Sequence, residues 1–417
     1  MNQSRWSLPL VVLELIRLPA RVLIVAGSVP PETSGAAIVL RRVLGLIDPR
    51  DYCLVRFVST EQPIVAPSGE SLASVVHRLG RPSLAPARRS RSPLMAARVV
   101  RRLAAEAYQR SMAISELLRS ERCSALIVTT GGVPDLPAAA LASRRVRAPL
   151  IIWMLDPWRH QCRVWLTNDA LAMLAEDALV RRARAVIVTN ETQRDVLQRE
   201  HGVDAVVVHN PCDPGLASDA AASDEPWPTN PTAPTIVYTG QVYAAQADSV
   251  GRLVDALAAP SLQRWTFQIY GSTITQPAYI RGPRVVIHPP AGPDLIRRVQ
   301  RQADILFLPL AFSSAPLGVL STATPAKLGD YLAAQRPILV HAPPDTHLVR
   351  LARKLDFAEV VDVPAAERLA AAIDRLGHDA ARRTAIVESA GRAAEDYSAA
   401  TSAARFAAVV AGAVGAS

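Results

Sequence analysis

Cysteine is scarce in this chain of 417 residues: there are four, at Cys53, Cys123, Cys162 and Cys212. None forms a Cys-x-x-Cys pair, and no histidine stands at metal-ligand spacing from one. A zinc ribbon is excluded, a disulfide framework is not expected, and the four read as reduced core thiols. Aromatic residues are only 5% of the chain. No basic stripe interleaved with aromatics occurs, so nucleic acid is not an expected partner. Long apolar runs are missing too. The best candidate, Leu8 to Gly27, is broken by Glu14, Arg17, Pro19 and Arg21, where a membrane-spanning helix needs about 20 apolar residues in succession. Its apolar core is also short for a signal peptide. The expectation is a cytoplasmic protein, soluble or peripheral on the inner face of the plasma membrane. Also absent are a Gly-x-Gly-x-x-Gly dinucleotide fingerprint, a Ser/His/Asp arrangement, a catalytic carboxylate pair and a metal-ligand cluster; no metal or cofactor is expected.

What is present begins with charge and apolar content. Half of the residues are hydrophobic, arginine far outnumbers lysine, and the formal net charge is +9. A basic balance favours anionic partners such as nucleotides, phosphates or anionic lipid. Short apolar runs alternate with helical patterns almost throughout: "RVLIVAG" from Arg21, "ALIVTT" from Ala125, "PLIIWML" from Pro149, "AVIVTN" from Ala185 and "AVVVHN" from Ala205, then "TIVYTG" from Thr235, "TFQIYG" from Thr266, "RVVIHP" from Arg284, "ILFLPL" from Ile305 and "PILVHA" from Pro337. Continuous apolar strands separated by helices indicate parallel sheets covered on both faces. Between the two sets lies a Pro-, Asp-, Ser- and Ala-rich stretch without periodicity, which reads as a linker. The fold class expected is α/β, with two Rossmann-like parallel-sheet domains facing across a cleft. Residues 1–20 read as an N-terminal extension, 21–210 as the first domain, 211–234 as the linker, 235–390 as the second domain and 391–417 as a closing helix. In open α/β sheets ligands sit beyond the carboxyl ends of the strands, so opposed edges would hold two substrates.

Several residues at those edges carry chemistry. Gly35 opens a helix after the first strand and lets a ligand approach free backbone N–H groups, although a tight βα connection would read the same way. In the second domain, Gly240 ends a strand. The stretch "STATPAKLGDYLAAQRPILV" from Ser321 places Lys327 and Asp330 near a helix start, with Thr324 as cap and Pro325 as first helical residue. Lys327 suits a phosphate, and Asp330 suits a pair of ribose hydroxyls; the competing reading is an i,i+3 ion pair on a solvated face. The run from His77 to Arg110 reads as a Pro/Ser/Arg loop followed by an amphipathic helix with Arg98, Arg101 and Arg102 near one face. That face is either simply solvated or docks on anionic lipid through residues 86–102.

Taken together, these motifs resemble the GT-B glycosyltransferases, specifically the retaining glycosyltransferase family four. Pro325, Lys327, Leu328, Asp330, Tyr331, Leu332, Ala333 and Pro337 match that family's donor-binding segment. Asp156-Pro157-Trp158, Asn210 and Asp213 match positions in its acceptor domain. The resemblance covers nearly the whole chain. It implies hexosyl transfer from a nucleotide-sugar to a glycan, lipid-linked or small-molecule acceptor, with retention and without metal, in cell-envelope or polysaccharide synthesis. It implies a donor site at Gly35, Gly240, Gln241, Tyr270, Gly271, Thr324, Lys327, Leu328 and Asp330. Asp156 and His160 then serve the acceptor, with Asp156, Lys327 and Asp330 the candidate catalytic groups. The chain departs from the family where Gln241 and Gln246 replace basic residues and Thr322 replaces an acid. Those departures motivate an alternative, a catalytically silent GT-B subunit that supports a partner; a sugar-nucleotide epimerase is a weaker third.

Overall fold

The computed structural model describes residues 15–32, 34–59, 72, 75–81, 93–162, 169–213, 233–271, 280–313 and 320–415. Among these residues thirteen strands form two sheets. The first contains β1 (Val22–Val25), β2 (Tyr52–Ser59), β3 (Val75–Arg81), β4 (Ala125–Thr129), β5 (Leu150–Met154), β6 (Ala185–Val188) and β7 (Ala205–Val207). The second contains β8 (Thr235–Thr239), β9 (Thr266–Tyr270), β10 (Val285–His288), β11 (Ile305–Pro309), β12 (Ile338–His341) and β13 (Glu359–Val361). The strand orders are β3-β2-β1-β4-β5-β6-β7 and β10-β9-β8-β11-β12-β13. Every neighbouring pair is parallel. Both sheets therefore reverse their winding once, between β1 and β4 and between β8 and β11, and such switch points open the crevices where α/β folds bind ligands.

The sequence dictates this through its unbroken apolar strands. The central ones, including Val22–Val25, Leu150–Met154 and Ile305–Pro309, are buried along their whole length. Each sheet accordingly carries an apolar core on both faces. The final helix, Ala399–Gly415, belongs to the first sheet's core: Phe406 is fully buried there, with its ring centroid 5.1 Å from that of Trp153. Burying one such side chain stabilises by about 1.5–3 kcal/mol, so this helix is held on the first domain.

Three strands escape the sequence reading. β2 carries Arg56 in its interior, β13 has only three residues, and β3 is an edge strand with exposed Val75. The expected Pro/Ser/Arg loop from His77 is corrected in part: His77 to Arg81 lie in β3, in register with Val55 to Ser59. His77 is tied there to Glu121 at 2.8 Å. The helix that follows spans Pro93–Ser120, with Arg98, Arg101 and Arg102 exposed. Residues 86–92 of the proposed lipid contact, and residues 214–232 of the linker, lie outside the described residues.

Candidate functional site

The site is built at the two switch points. In the first domain, β1 runs into a turn whose backbone touches the turn after β4. A Cβ on Gly27 would lie 2.7 Å from the carbonyl carbon of Gly131, so a side chain at Gly27 would force the two loops apart. Ser34 caps the helix Gly35–Leu44, accepting from the Ala37 amide at 3.2 Å. Its hydroxyl lies 2.6 Å from that of Ser28, which in turn donates to Glu32 at 2.6 Å, and Glu32 is paired with Arg56. This network fixes the loop and leaves the amides of Gly35 and Ala36 at the open end of a ten-residue helix, where they have no intrahelical acceptor.

In the second domain, β8 ends at Gly240, whose φ of +119° lies where L side chains rarely go. Gly271, after β9, comes so close that a Cβ on it would sit 2.2 Å from the Gly240 carbonyl oxygen. Above Gly240 lies Lys327. Its Cε is 3.3 Å from where a Gly240 Cβ would be. Its ammonium donates to the Tyr238 hydroxyl at 3.3 Å and stands 4.7 Å from that ring's centroid. No carboxylate pairs with Lys327 among the described residues. The chain contains only two lysines, Lys327 and Lys354, and one of them stands unpaired, half-buried, over the strand end at a switch point. The first domain completes the arrangement: a Cβ on Gly35 would meet the Cβ of Ala326 at 3.5 Å. The open end of one domain's first helix thus faces the segment that delivers Lys327 from the other.

The remaining expected residues fall in different places. The helix after this segment spans Leu328–Ala333. It starts later than expected, which corrects the capping assignment: Lys327, not Thr324, occupies the cap position, and no side chain caps the helix. Thr324 is engaged across the domain boundary instead. Its hydroxyl accepts from Asn190 Nδ2 at 2.8 Å, and its carbonyl accepts from Asn210 Nδ2 at 3.3 Å. Leu328 is fully buried in the second core, so its side chain packs rather than faces the gap. Gln241 is exposed, with its carbonyl accepting from the Tyr238 hydroxyl at 3.0 Å. Tyr270 is buried and stacked on His288 at 4.1 Å, and burial raises its phenol above the ordinary value.

Asp330 forms no pair with Lys327. Its carboxylate is gripped by Arg42 in a two-point fork, Nη1 at 2.8 Å and Nη2 at 3.0 Å, and accepts the Asp213 amide at 2.8 Å. Arg42 also donates to the Pro211 carbonyl at 2.8 Å, and Arg297 pairs with Asp213 at 3.0 Å. Burial pushes the Asp330 carboxyl upward against the pull of Arg42. Gly329 makes the contact possible, since a Cβ there would lie 2.9 Å from the Cys212 nitrogen. This four-charge cluster joins the two domains, and sequence reasoning did not find it. The available signal was Arg42 itself, a charge on the buried stripe of a helix beside Val39, Leu40 and Val43. Asn190 was missed as well. It caps the helix Glu191–His201 through Oδ1 while its Nδ2 reaches both the Thr322 carbonyl and Thr324.

Asp156 follows β5 on the first domain's side. Thr130 fixes its backbone, donating to the Asp156 carbonyl at 2.7 Å. The residue is open to solvent, yet desolvation raises its carboxyl above the ordinary value. No hydrogen bond or ion pair engages its carboxylate among the described residues. His160, half-buried in the short helix Trp158–Cys162, is one turn further on.

Comparison with known proteins adds the fold's kinship. No family model matches this chain, and no curated protein matches it. Solved structures do. An alpha,alpha-trehalose-phosphate synthase (UDP-forming) from Burkholderia vietnamiensis superposes with a TM-score of 0.64 at 14% identity, over 94% of this chain and 99% of its own. Sucrose-phosphate synthase from Thermosynechococcus elongatus gives 0.64 at 13% identity, over 93% and 97%. HepE of Anabaena, solved with UDP and glucose, gives 0.61 at 14% identity, over 93% and 98%. The fold is GT-B. At these identities the likeness carries the GT-B architecture of the whole chain; the family-four resemblance rests on its motif residues alone.

Proposed function

We propose that this GT-B chain is a glycosyltransferase that moves a hexosyl group from a nucleotide-sugar to a glycan, lipid-linked or small-molecule acceptor. The observation that carries the reading is Lys327: an ammonium without a carboxylate partner, poised over Gly240 at one switch point and beside the open helix end at Gly35. A nucleoside diphosphate brings about two negative charges into such a gap. Lys327 and the Gly35 and Ala36 amides would hold the phosphates and stabilise the charge that grows on them as the sugar leaves. With retention, the bond from the anomeric carbon to the phosphate oxygen breaks, the acceptor oxygen bonds to that carbon on the same face, and the acceptor proton passes to the departing phosphate. Asp156 orients the acceptor by accepting a hydrogen bond from a neighbouring, non-reacting hydroxyl of it. The reading requires no metal. Peripheral contact with anionic membrane through exposed Arg98, Arg101 and Arg102 would suit a lipid-linked acceptor.

One observation favours the silent-subunit reading. Gln246, where the family's basic residue would stand, is buried, and Gln241 carries no charge. A panel of nucleotide-sugars, assayed for nucleotide release with and without acceptor extract, separates the two. Release that rises with extract supports transfer, binding without release supports the silent subunit, and no binding to any donor removes both.

A further inference from the structure

The opposite edge of the first sheet holds a second feature that the transfer chemistry does not use. Where β5 and β6 begin, a groove of about 620 Å³ is lined by Ser143, Arg144, Arg147, Leu150, Arg182 and Arg184 among others, with no acidic residue in its wall. A smaller cavity of about 340 Å³ shares Ser143, Arg144 and Arg182. All four arginines are exposed, and the side chains of Arg144, Arg147 and Arg182 have no hydrogen-bond or ion-pair partner among the described residues. The frame beneath them is rigid: the Ser143 hydroxyl donates to the Ala148 carbonyl at 2.6 Å, and the Arg184 amide donates to the Leu150 carbonyl at 2.7 Å. Arg147 has φ +56°, ψ +34° at the end of the helix Asp135–Val146, a position where glycine or asparagine is favoured and arginine carries a steric cost.

We infer that this groove is a second anion site, for a ligand bearing two or more phosphoryl groups. Planar guanidinium forks match phosphate oxygens two at a time, and a cleft lined by one sign of charge concentrates the opposite ion. The groove stands at the amino end of β5 and Asp156 beyond its carboxyl end, roughly 20 Å along the strand direction, so the two ligands do not compete for space. The same phosphoryl chemistry is offered by a soluble phosphorylated metabolite and by a lipid headgroup. A purely structural account also exists, because Arg144 and Arg182 lie at helix C-termini, where cations offset the helix dipole.

The test uses inorganic pyrophosphate titrated into the full chain, and sedimentation with vesicles containing cardiolipin, whose headgroup carries two phosphoryl groups, for wild type, Arg144→Ala/Arg182→Ala and Lys327→Ala. A pyrophosphate component that Lys327→Ala retains and the double variant loses by tenfold or more establishes the site with a soluble source. Vesicle binding that the double variant loses and pyrophosphate competes away establishes it with a headgroup source. Arg147→Gly separates binding from folding: Tm rises as the left-handed backbone relaxes, while affinity falls. Affinities in the double variant equal to wild type in both arms, or no binding by wild type in either, overturn the inference.

Discussion

Asp330→Ala tests the domain clamp. The substitution removes the carboxylate that takes both terminal nitrogens of Arg42 and the Asp213 amide. The side chains of Arg42 and Asp330 are only 8% and 12% exposed. Arg42 is then left beside Asp213 alone, at 3.6 Å, a carboxylate already shared with Arg297. Arg297 keeps Asp294 as a second partner, but the buried Arg42 guanidinium loses its closest carboxylate and is left under-compensated. Breaking a buried pair from one side costs about 3–5 kcal/mol, most of it the uncompensated charge. For domains of this size that lowers Tm by on the order of 10 °C. The assay is thermal and urea unfolding followed by tryptophan fluorescence, since each domain's core holds a buried tryptophan, Trp153 in the first and Trp265 in the second. The double variant Arg42→Met/Asp330→Leu supplies the control. Replacing a whole buried pair by apolar groups is often near neutral, so it should be less destabilised than the sum of its two single variants. A loss below about 1 kcal/mol in Asp330→Ala, or strict additivity in the double, would refute the clamp. Unchanged stability with a loss of nucleotide affinity would return Asp330 to the ribose.

Three further outcomes are expected. Gly271→Ala forces a Cβ to within 2.2 Å of the Gly240 carbonyl oxygen; it should lose about 1–3 kcal/mol and displace the floor beneath Lys327, and an unshifted Tm would contradict the close approach. His341 and His347 are buried, and desolvation lowers each imidazole from 6.5 to about 4. The unfolded chain then binds more protons between those values, so stability is fully present above about pH 6.5 and falls as pH drops toward 4, by on the order of 3 kcal/mol per histidine. Tm measured against pH should show this slope, and His347→Gln should flatten it; equal slopes in both proteins would exclude His347 as a source. Asp156→Asn leaves a group without partners in the fold, so Tm and donor affinity should hold while turnover falls, and full turnover would remove Asp156 from the acceptor site.

The two-sheet architecture was legible in the sequence because fully buried parallel strands must be apolar throughout, and runs such as "LIIWM" have few other uses. β2 and β3 were not legible for the converse reason. Edge position and a paired arginine, Arg56 on Glu32, interrupt the pattern that announces a strand. Placements set locally were readable: Gly35 at a helix start and Gly240 after a strand, whereas the position of Lys327 over Gly240 joins separate segments and was not. Residues whose role is defined by a distant partner were not. Asp330 looked like a ligand group because a carboxylate near a helix start suits hydroxyls, and its actual partner, Arg42, lies 288 positions away. Thr324 resembled a cap for the same local reason, and Asn190 takes its hydroxyl from the other domain.

The account stands on Lys327 meeting a phosphate in the gap between the domains. Isothermal titration of nucleoside diphosphates and their sugar conjugates into wild type and Lys327→Ala measures this directly. At least one nucleotide should bind wild type, and Lys327→Ala should bind it tenfold or more weakly, about 1.4 kcal/mol, with Tm unchanged. Equal affinity in the two proteins, or no binding by wild type to any nucleotide, would contradict it.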